Sequence, residues 1–249
     1  MTSRTLISAV GLHKQFGAVV AARDISVDIT AQTVSGLIGT NGAGKTTFVN
    51  MLTGYLKPDQ GTITFEGTDI TGREPRDITR MGIARSFQIP QLFTSLTARE
   101  NLEIALGIAK SPLTRANEIL AQFGLVAYAD SVAGNLPEGV RKLLDISLAM
   151  VAEPKVLLLD EPTSGVASDE KFAVMDRVMD VIRAAGVTVL FVEHDMDIVR
   201  RYSDRVLAFY DGAILAAGAP DDVLNNAQVR QYIIGEPLPT TANAEAPHA

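Results

Sequence analysis

Residues 39–46 read Gly39-Thr40-Asn41-Gly42-Ala43-Gly44-Lys45-Thr46, a spacing of glycine, lysine and threonine that few folds can host. It satisfies the pattern G-x-x-x-x-G-K-[ST]. Glycines let the main chain wrap around an anion at φ angles that other residues avoid. The amides of such a loop and the positive end of the helix that follows it point at the same anion. Lys45 is suited to neutralise the β- and γ-phosphates of a nucleotide, and the Thr46 hydroxyl to ligate Mg²⁺. Four fixed positions coincide by chance in a chain this long on the order of 1% of the time, which disfavours an ordinary glycine turn with a surface lysine. The flanks agree: residues 33–38 read as a strand, and residues 45–52 carry helical spacing closed by Gly54.

The rest of the chain fits an α/β fold around that loop. Residues 6–10 and 25–29 are strand-like, the latter with alternating Ile25, Val27 and Ile29, and predict an antiparallel opening; residues 61–65 predict another strand. Residues 96–150 change in character, with helix formers and breaks at Pro112, Gly124 and between Gly134 and Gly139. They predict a helical subdomain set into the core. Residues 156–159 are an unbroken apolar run and residues 187–192 are apolar apart from Thr188, as expected of parallel strands covered on both faces. Residues 206–209 and 214–215 predict a closing hairpin about Asp211-Gly212. The expected division is a nucleotide-binding α/β core with an antiparallel β subdomain over residues 1–95 and 151–236, a helical subdomain over 96–150, and a disordered tail rich in Pro, Thr and Ala over 237–249.

Composition removes several function classes. Apolar residues make up 47% of the 249, so a buried core is available. None of the apolar runs is long enough to span a bilayer, and residues 1–10 give no signal peptide. The net charge of −7 is the wrong sign for a protein that mainly coats nucleic acid or anionic lipid. With no cysteine, neither a disulfide nor thiol chemistry is expected, and a reducing cytoplasm fits.

The run of residues 156–159 leads straight into Asp160-Glu161. Ligands of open α/β sheets sit at the carboxyl ends of the strands, so both acids should face the phosphate loop. Asp160 is suited to hold Mg²⁺ through water, and Glu161 to polarise an attacking water. Solvation of a strand end is the alternative reading of such a pair.

In this order the motifs resemble the ABC ATPase family, most closely its branched-chain amino acid ATPases, over residues 6–236. The resemblance implies a P-loop NTPase cassette with a RecA-like core, and a nucleotide held by Gly39, Thr40, Asn41, Gly42, Ala43, Gly44, Lys45, Thr46 and Thr47. It implies that Phe16, in Lys14-Gln15-Phe16-Gly17, stacks on adenine with Val19 beside the base. Gln88, in Arg85-Ser86-Phe87-Gln88, matches the glutamine that touches Mg²⁺ and the attacking water and hinges the helical subdomain. His194, in Val192-Glu193-His194-Asp195, matches the histidine that contacts the γ-phosphate.

Two matches are imperfect. Leu136-Pro137-Glu138-Gly139-Val140 stands where the family has L-S-G-G-Q, and keeps its Leu136 and Gly139. Pro137 cannot give the hydroxyl that the signature serine offers to ATP on the opposite subunit, although amides near Gly139 and the helix dipole remain for that anion. Asn135 followed by Glu138 also has the character of a capping box ahead of a helix over residues 141–150. Ser164-Gly165-Val166-Ala167 stands for the family's S-A-L-D, with Asp169 two residues late.

The resemblance implies ATP and Mg²⁺ as cofactors, a second ATPase subunit (identical or sibling) and membrane permease subunits as partners. It implies a periplasmic or extracellular substrate-binding protein acting indirectly, no nucleic acid, and a place on the cytoplasmic face of the membrane. Branched-chain or related amino acids are the expected cargo, with urea, amides, aromatic acids or exported lipopolysaccharide as alternatives. A GTPase is disfavoured by the lack of an N-K-x-D motif. A non-transport ATPase of this family is disfavoured by the single cassette and acidic charge, and a catalytically dead subunit by the presence of Lys45, Asp160 and Glu161.

Overall fold

The apolar runs ahead of Asp160 and His194 form two adjacent inner strands of a six-stranded sheet. The structure, a computed structural model, describes residues 4–235; the expectation for the tail at 237–249 lies outside them. In chain order the elements begin with strands β1 (Thr5–Phe16), β2 (Val19–Thr30) and β3 (Val34–Gly39), then helix α1 (Lys45–Leu52). There follow β4 (Gln60–Phe65), β5 (Thr68–Asp69), α2 (Pro75–Met81) and β6 (Ile83–Arg85), then helices α3 (Ala98–Ile108), α4 (Arg115–Gln122) and α5 (Glu138–Met150). The chain continues through β7 (Val156–Asp160), α6 (Lys171–Ala184), β8 (Thr188–Val192), α7 (Met196–Tyr202), β9 (Arg205–Tyr210) and β10 (Ala213–Gly218). It closes with α8 (Pro220–Leu224), α9 (Ala227–Val229) and a π-helical turn, Arg230–Ile234.

The large sheet has the order β10-β9-β3-β8-β7-β6, parallel throughout except for the antiparallel β9–β10 hairpin. Period-two alternation divides its side chains between two cores. Leu157, Leu159, Val189 and Phe191 face one core, with Leu102, Leu120, Leu144 and Met175 from the helices. Val156, Leu158, Leu190 and Phe209 face the other, with Phe48 and Met51 of α1 and with Ile7, Leu12 and Ile25 of the small sheet, whose order is β2-β1-β4-β5. Burial of each such side chain contributes roughly 1.5–3 kcal/mol. Asp160 continues the alternation of Val156 and Leu158, so its side chain leaves the sheet on the α1 side.

The opening hairpin is longer than the alternation suggested. β1 and β2 each span 12 residues, not the short stretches at 6–10 and 25–29. Gly11, at φ +62°, sits in a register shift between Ala9 and Leu12 that resets the alternation, so the sequence pattern breaks while the ladder continues. The capping box anticipated at Asn135 and Glu138 does not form. Pro137 is the N-cap of α5, which starts three residues before the expected Arg141, and Glu138 pairs with Arg141 on the same helix. A reciprocal capping box instead opens α3, where Thr97 and Glu100 each satisfy the other's main chain.

Candidate functional site

Strands β3, β7 and β8 end at one level: Leu37 and Asp160 both register against Val192. The phosphate loop leaves β3 there and enters α1. Gly44 is its N-cap residue at φ +103°, and a Cβ at that position would stand 2.6 Å from the Ala21 carbonyl oxygen. The β9–β10 turn braces the loop from outside, with the Gly212 amide donating to the Ala43 carbonyl at 3.1 Å and the Arg23 amide donating to the Gly212 carbonyl at 2.7 Å.

A cleft of about 290 Å³ opens over this loop, lined by Phe16, Val19, Ala21, residues 41–47, Glu161, Val192 and His194. Lys45 is buried, and its ammonium donates to the carbonyls of Gly39 at 2.6 Å and Thr40 at 3.1 Å. Burial lowers its pKa below the usual lysine value, against the opposing pull of the Glu161 and Asp160 charges. Phe16 and Val19 face each other across the β1–β2 ladder and are 50% and 66% exposed, which gives the cleft rim an apolar surface. The Lys14 ammonium lies 5.5 Å from the centre of the Phe16 ring.

Glu161 stands at the far wall in a left-handed conformation, φ +48°. Its carboxylate is engaged on both oxygens: Gln88 Nε2 donates to Oε2 at 2.8 Å, and His194 Nε2 lies 3.2 Å from Oε1. Asp160 pairs with Arg85 at 2.6 Å, and Arg85 also donates to Asn50 Oδ1 at 2.7 Å. The loop after β7 is tied to the loop after β8 by buried Glu193. Its Oε1 accepts the Thr163 amide at 3.0 Å and the Thr163 hydroxyl at 2.5 Å, and its Oε2 accepts the His194 amide at 3.0 Å.

The fold thus brings together Phe16, Val19, the phosphate loop with Thr46 and Thr47, Asp160, Glu161, Gln88 and His194. Leu136 and Gly139 are not among the cleft's lining. Leu136 is 6% exposed, and a Cβ on Gly139 would meet Val174 of α6 at 3.3 Å. Glu138 lies against Gly165 of the Ser164-Gly165-Val166-Ala167 turn, its side chain 3.1 Å from where a Cβ on that glycine would be. Sequence reasoning missed Arg85, Glu193 and Lys142 as parts of the site. The first two stand inside motifs it had singled out, so their polarity beside a strand end was the available signal. Lys142, a lysine within a helix, gave none.

The donors that would face a metal ion are a hydroxyl, a carboxylate and an amide oxygen, the hard oxygen set that Mg²⁺ takes. Among the described residues no group of three or more His, Cys, Asp or Glu is placed to hold a metal. Thr46, Asp160 and Gln88 are the residues that would hold Mg²⁺, with water and phosphate oxygens completing its shell.

The sequence pattern of the ABC transporter family matches residues 22–164. The high-affinity branched-chain amino acid transport ATP-binding protein LivG of Escherichia coli K12 is 35% identical, over 94% of this chain and 99% of its own. BraF of Pseudomonas aeruginosa, described in the same terms, is 34% identical over 94% of this chain and 99% of its own. Among solved structures, the ADP conformation of an ATP-binding cassette of an ABC transporter has a TM-score of 0.86 at 33% identity, covering 94% of this chain and all of its own. A nucleotide-free cassette from an ABC transporter has a TM-score of 0.82 at 32% identity, covering 92% of this chain and 98% of its own. This chain belongs to the ABC transporter family and is an ATP-binding, ATP-hydrolysing cassette of it.

Proposed function

We propose that this cassette drives the import of branched-chain or related amino acids through a separate membrane permease. The observation that carries the cargo class is the likeness to LivG and BraF along nearly the whole chain. The site supports the chemistry. ATP lies along residues 39–47 with its adenine against Phe16 and Val19, and Lys45 leaves its own loop carbonyls for the β- and γ-phosphates. Thr46, Asp160 and Gln88 would hold Mg²⁺, which when bound neutralises phosphate oxygens. Glu161 accepts a proton from the attacking water, and Gln88 and His194, which now occupy its two oxygens, turn toward the water and the γ-phosphate.

Hydrolysis in this reading needs a second cassette, an identical chain or a sibling, whose α5 start at Leu136 and Gly139 covers the nucleotide. Pro137 and Glu138 leave that cover with main-chain donors and no hydroxyl. The permease docks beside the Gln88 segment, on the groove lined by Tyr55, Thr79, Ala84, Phe87, Leu148 and Ala149. Among the described residues no helix is long and apolar enough to cross a membrane. The membrane-spanning path then belongs to the permease, and this chain sits at the cytoplasmic face. The substrate-binding protein outside meets the permease and not this chain.

The experiment is affinity capture of the full chain from membranes of its native cell, with mass spectrometry of its companions. Multi-span permeases of the amino acid type and a cassette partner support the reading. Recovery with ribosomal or DNA-bound proteins, or with no membrane protein, overturns it while leaving the ATPase chemistry intact.

A further inference from the structure

Helix α5 turns buried polar side chains toward the site and not toward solvent. Lys142 is 2% exposed, and its ammonium donates to two main-chain carbonyls, that of Gln88 and, at 3.3 Å, that of Glu161. One turn further, Asp145 accepts the Gln91 amide on Oδ1 at 2.9 Å. One helix therefore holds both ends of the segment that carries Gln88, and through Lys142 alone it also reaches the main chain of Glu161.

That second bond matters because of the backbone it reaches. A side-chain-bearing residue in the left-handed region is disfavoured by the clash of its Cβ with the carbonyl, and persists where its surroundings over-determine it. Glu161 is such a residue, at φ +48°. Its amide donates to Val192 at 3.0 Å, and its carbonyl accepts from Ser164 at 3.1 Å and from Lys142. The Val192 and Ser164 bonds belong to the sheet and its loop, whereas the Lys142 bond belongs to the helical layer. Burial lowers the pKa of Lys142, opposed by the charges of Asp145, Glu138, Glu161 and Glu193. An ammonium in such a place is unfavourable unless its bonds are met.

We propose that Lys142 is a positioning residue for hydrolysis: by tying the main chain of Glu161 and Gln88 to α5, it makes the aim of the Glu161 carboxylate follow the position of that helix. The inference rests on the reading of Glu161 as the residue that activates water. Loss of the tether frees Glu161 to relax away from Gln88 and His194. The phosphate loop, which Lys142 does not touch, is unaffected. Turnover and nucleotide binding should then separate.

The test compares Lys142→Met and Lys142→Arg with the parent in the purified full chain, measuring kcat and KM for ATP with Mg²⁺, ADP affinity by calorimetry, and thermal unfolding. Lys142→Met is expected to lower kcat by about tenfold or more, as misplacement of a reacting group does. KM and ADP affinity should stay within about twofold, the mark of an interaction that serves the reaction step and not binding. Lys142→Arg, which keeps the donors, recovers most of kcat. If Lys142→Met does not fold, Lys142→Gln, one atom shorter and uncharged, takes its place with the same expected separation. An unchanged kcat, an ADP affinity that falls in parallel with kcat, or an arginine variant no better than the methionine overturns the proposal. Glu161→Gln is run alongside: if it turns over normally, the reading of Glu161 has failed, whereas if it is inactive and Lys142→Met is normal, the tether alone has failed.

Discussion

Arg85 and Asp160 meet at 2.6 Å inside the protein, with side chains 9% and 15% exposed. The guanidinium also lies 5.1 Å from the Phe87 ring centre and 6.0 Å from that of Tyr55, on the groove assigned above to the permease. One side chain thus packs the groove wall and holds the carboxylate proposed for Mg²⁺. Removing one partner of a buried pair leaves the other charge uncompensated. Arg85→Ala is expected to lower unfolding stability by about 3 kcal/mol, read from urea denaturation. A loss below about 1 kcal/mol would show that Asp160 is solvated and the pair is a surface one.

Gly44 has no room for a side chain. Its φ of +103° and the Ala21 carbonyl 2.6 Å from a would-be Cβ both exclude one, and the displaced loop would carry Lys45 with it. Gly44→Ala is expected to weaken ADP binding by at least about tenfold, the equivalent of 1.4 kcal/mol, measured by calorimetry. Retained affinity would mean that the β2 edge yields to the loop.

Much of this was legible in the sequence, and the limits are physical. The bounds of α1, residues 45–52, follow from glycines on either side. The runs at 156–159 and 187–192 could be read as buried strands because both faces are apolar. The ends of β1 and β2 could not, since they project Phe16 and Val19 into the cleft and not into a core, and the Gly11 shift breaks their alternation. Lys142 was invisible for a different reason. A lysine in an amphipathic helix reads as its solvent face, and here the partners that bury it, the carbonyls of Gln88 and Glu161, are 54 and 19 residues away.

Asp195 gives the acid side of the stability profile a defined contributor. Burial alone would raise its pKa, but the bond from Lys171 and the amides of Ile198 and Asp197 outweigh it and hold the carboxyl below the usual carboxylate value. A depressed folded pKa stabilises fully above the unfolded value and is lost as pH falls through the folded one. Asp195→Ala, which also removes the N-cap of α7, should cost about 1 kcal/mol at neutral pH and progressively less below the unfolded carboxylate range. Denaturation midpoints of parent and variant across pH 7 to 3 check this (roughly the window set by ordinary carboxylate values). A gap that widens toward acid contradicts it.

Glu193 is 4% exposed and joins Thr163 to the main chain of His194. Glu193→Ala strands the Thr163 hydroxyl and frees the His194 loop. It should lower stability by roughly 1–3 kcal/mol and reduce kcat for ATP more than it raises KM. Equal effects on both would place Glu193 in folding alone.

The central claim is that Glu161, held between Gln88 and His194, activates the water that attacks ATP. Steady-state hydrolysis and ATP binding by Glu161→Gln test it most directly. The side chain keeps its size and loses its capacity to accept a proton. The expected result is retained ATP affinity, turnover reduced by at least about a hundredfold, and accumulation of ATP-loaded dimers on gel filtration. Parent-level turnover by Glu161→Gln would contradict the account.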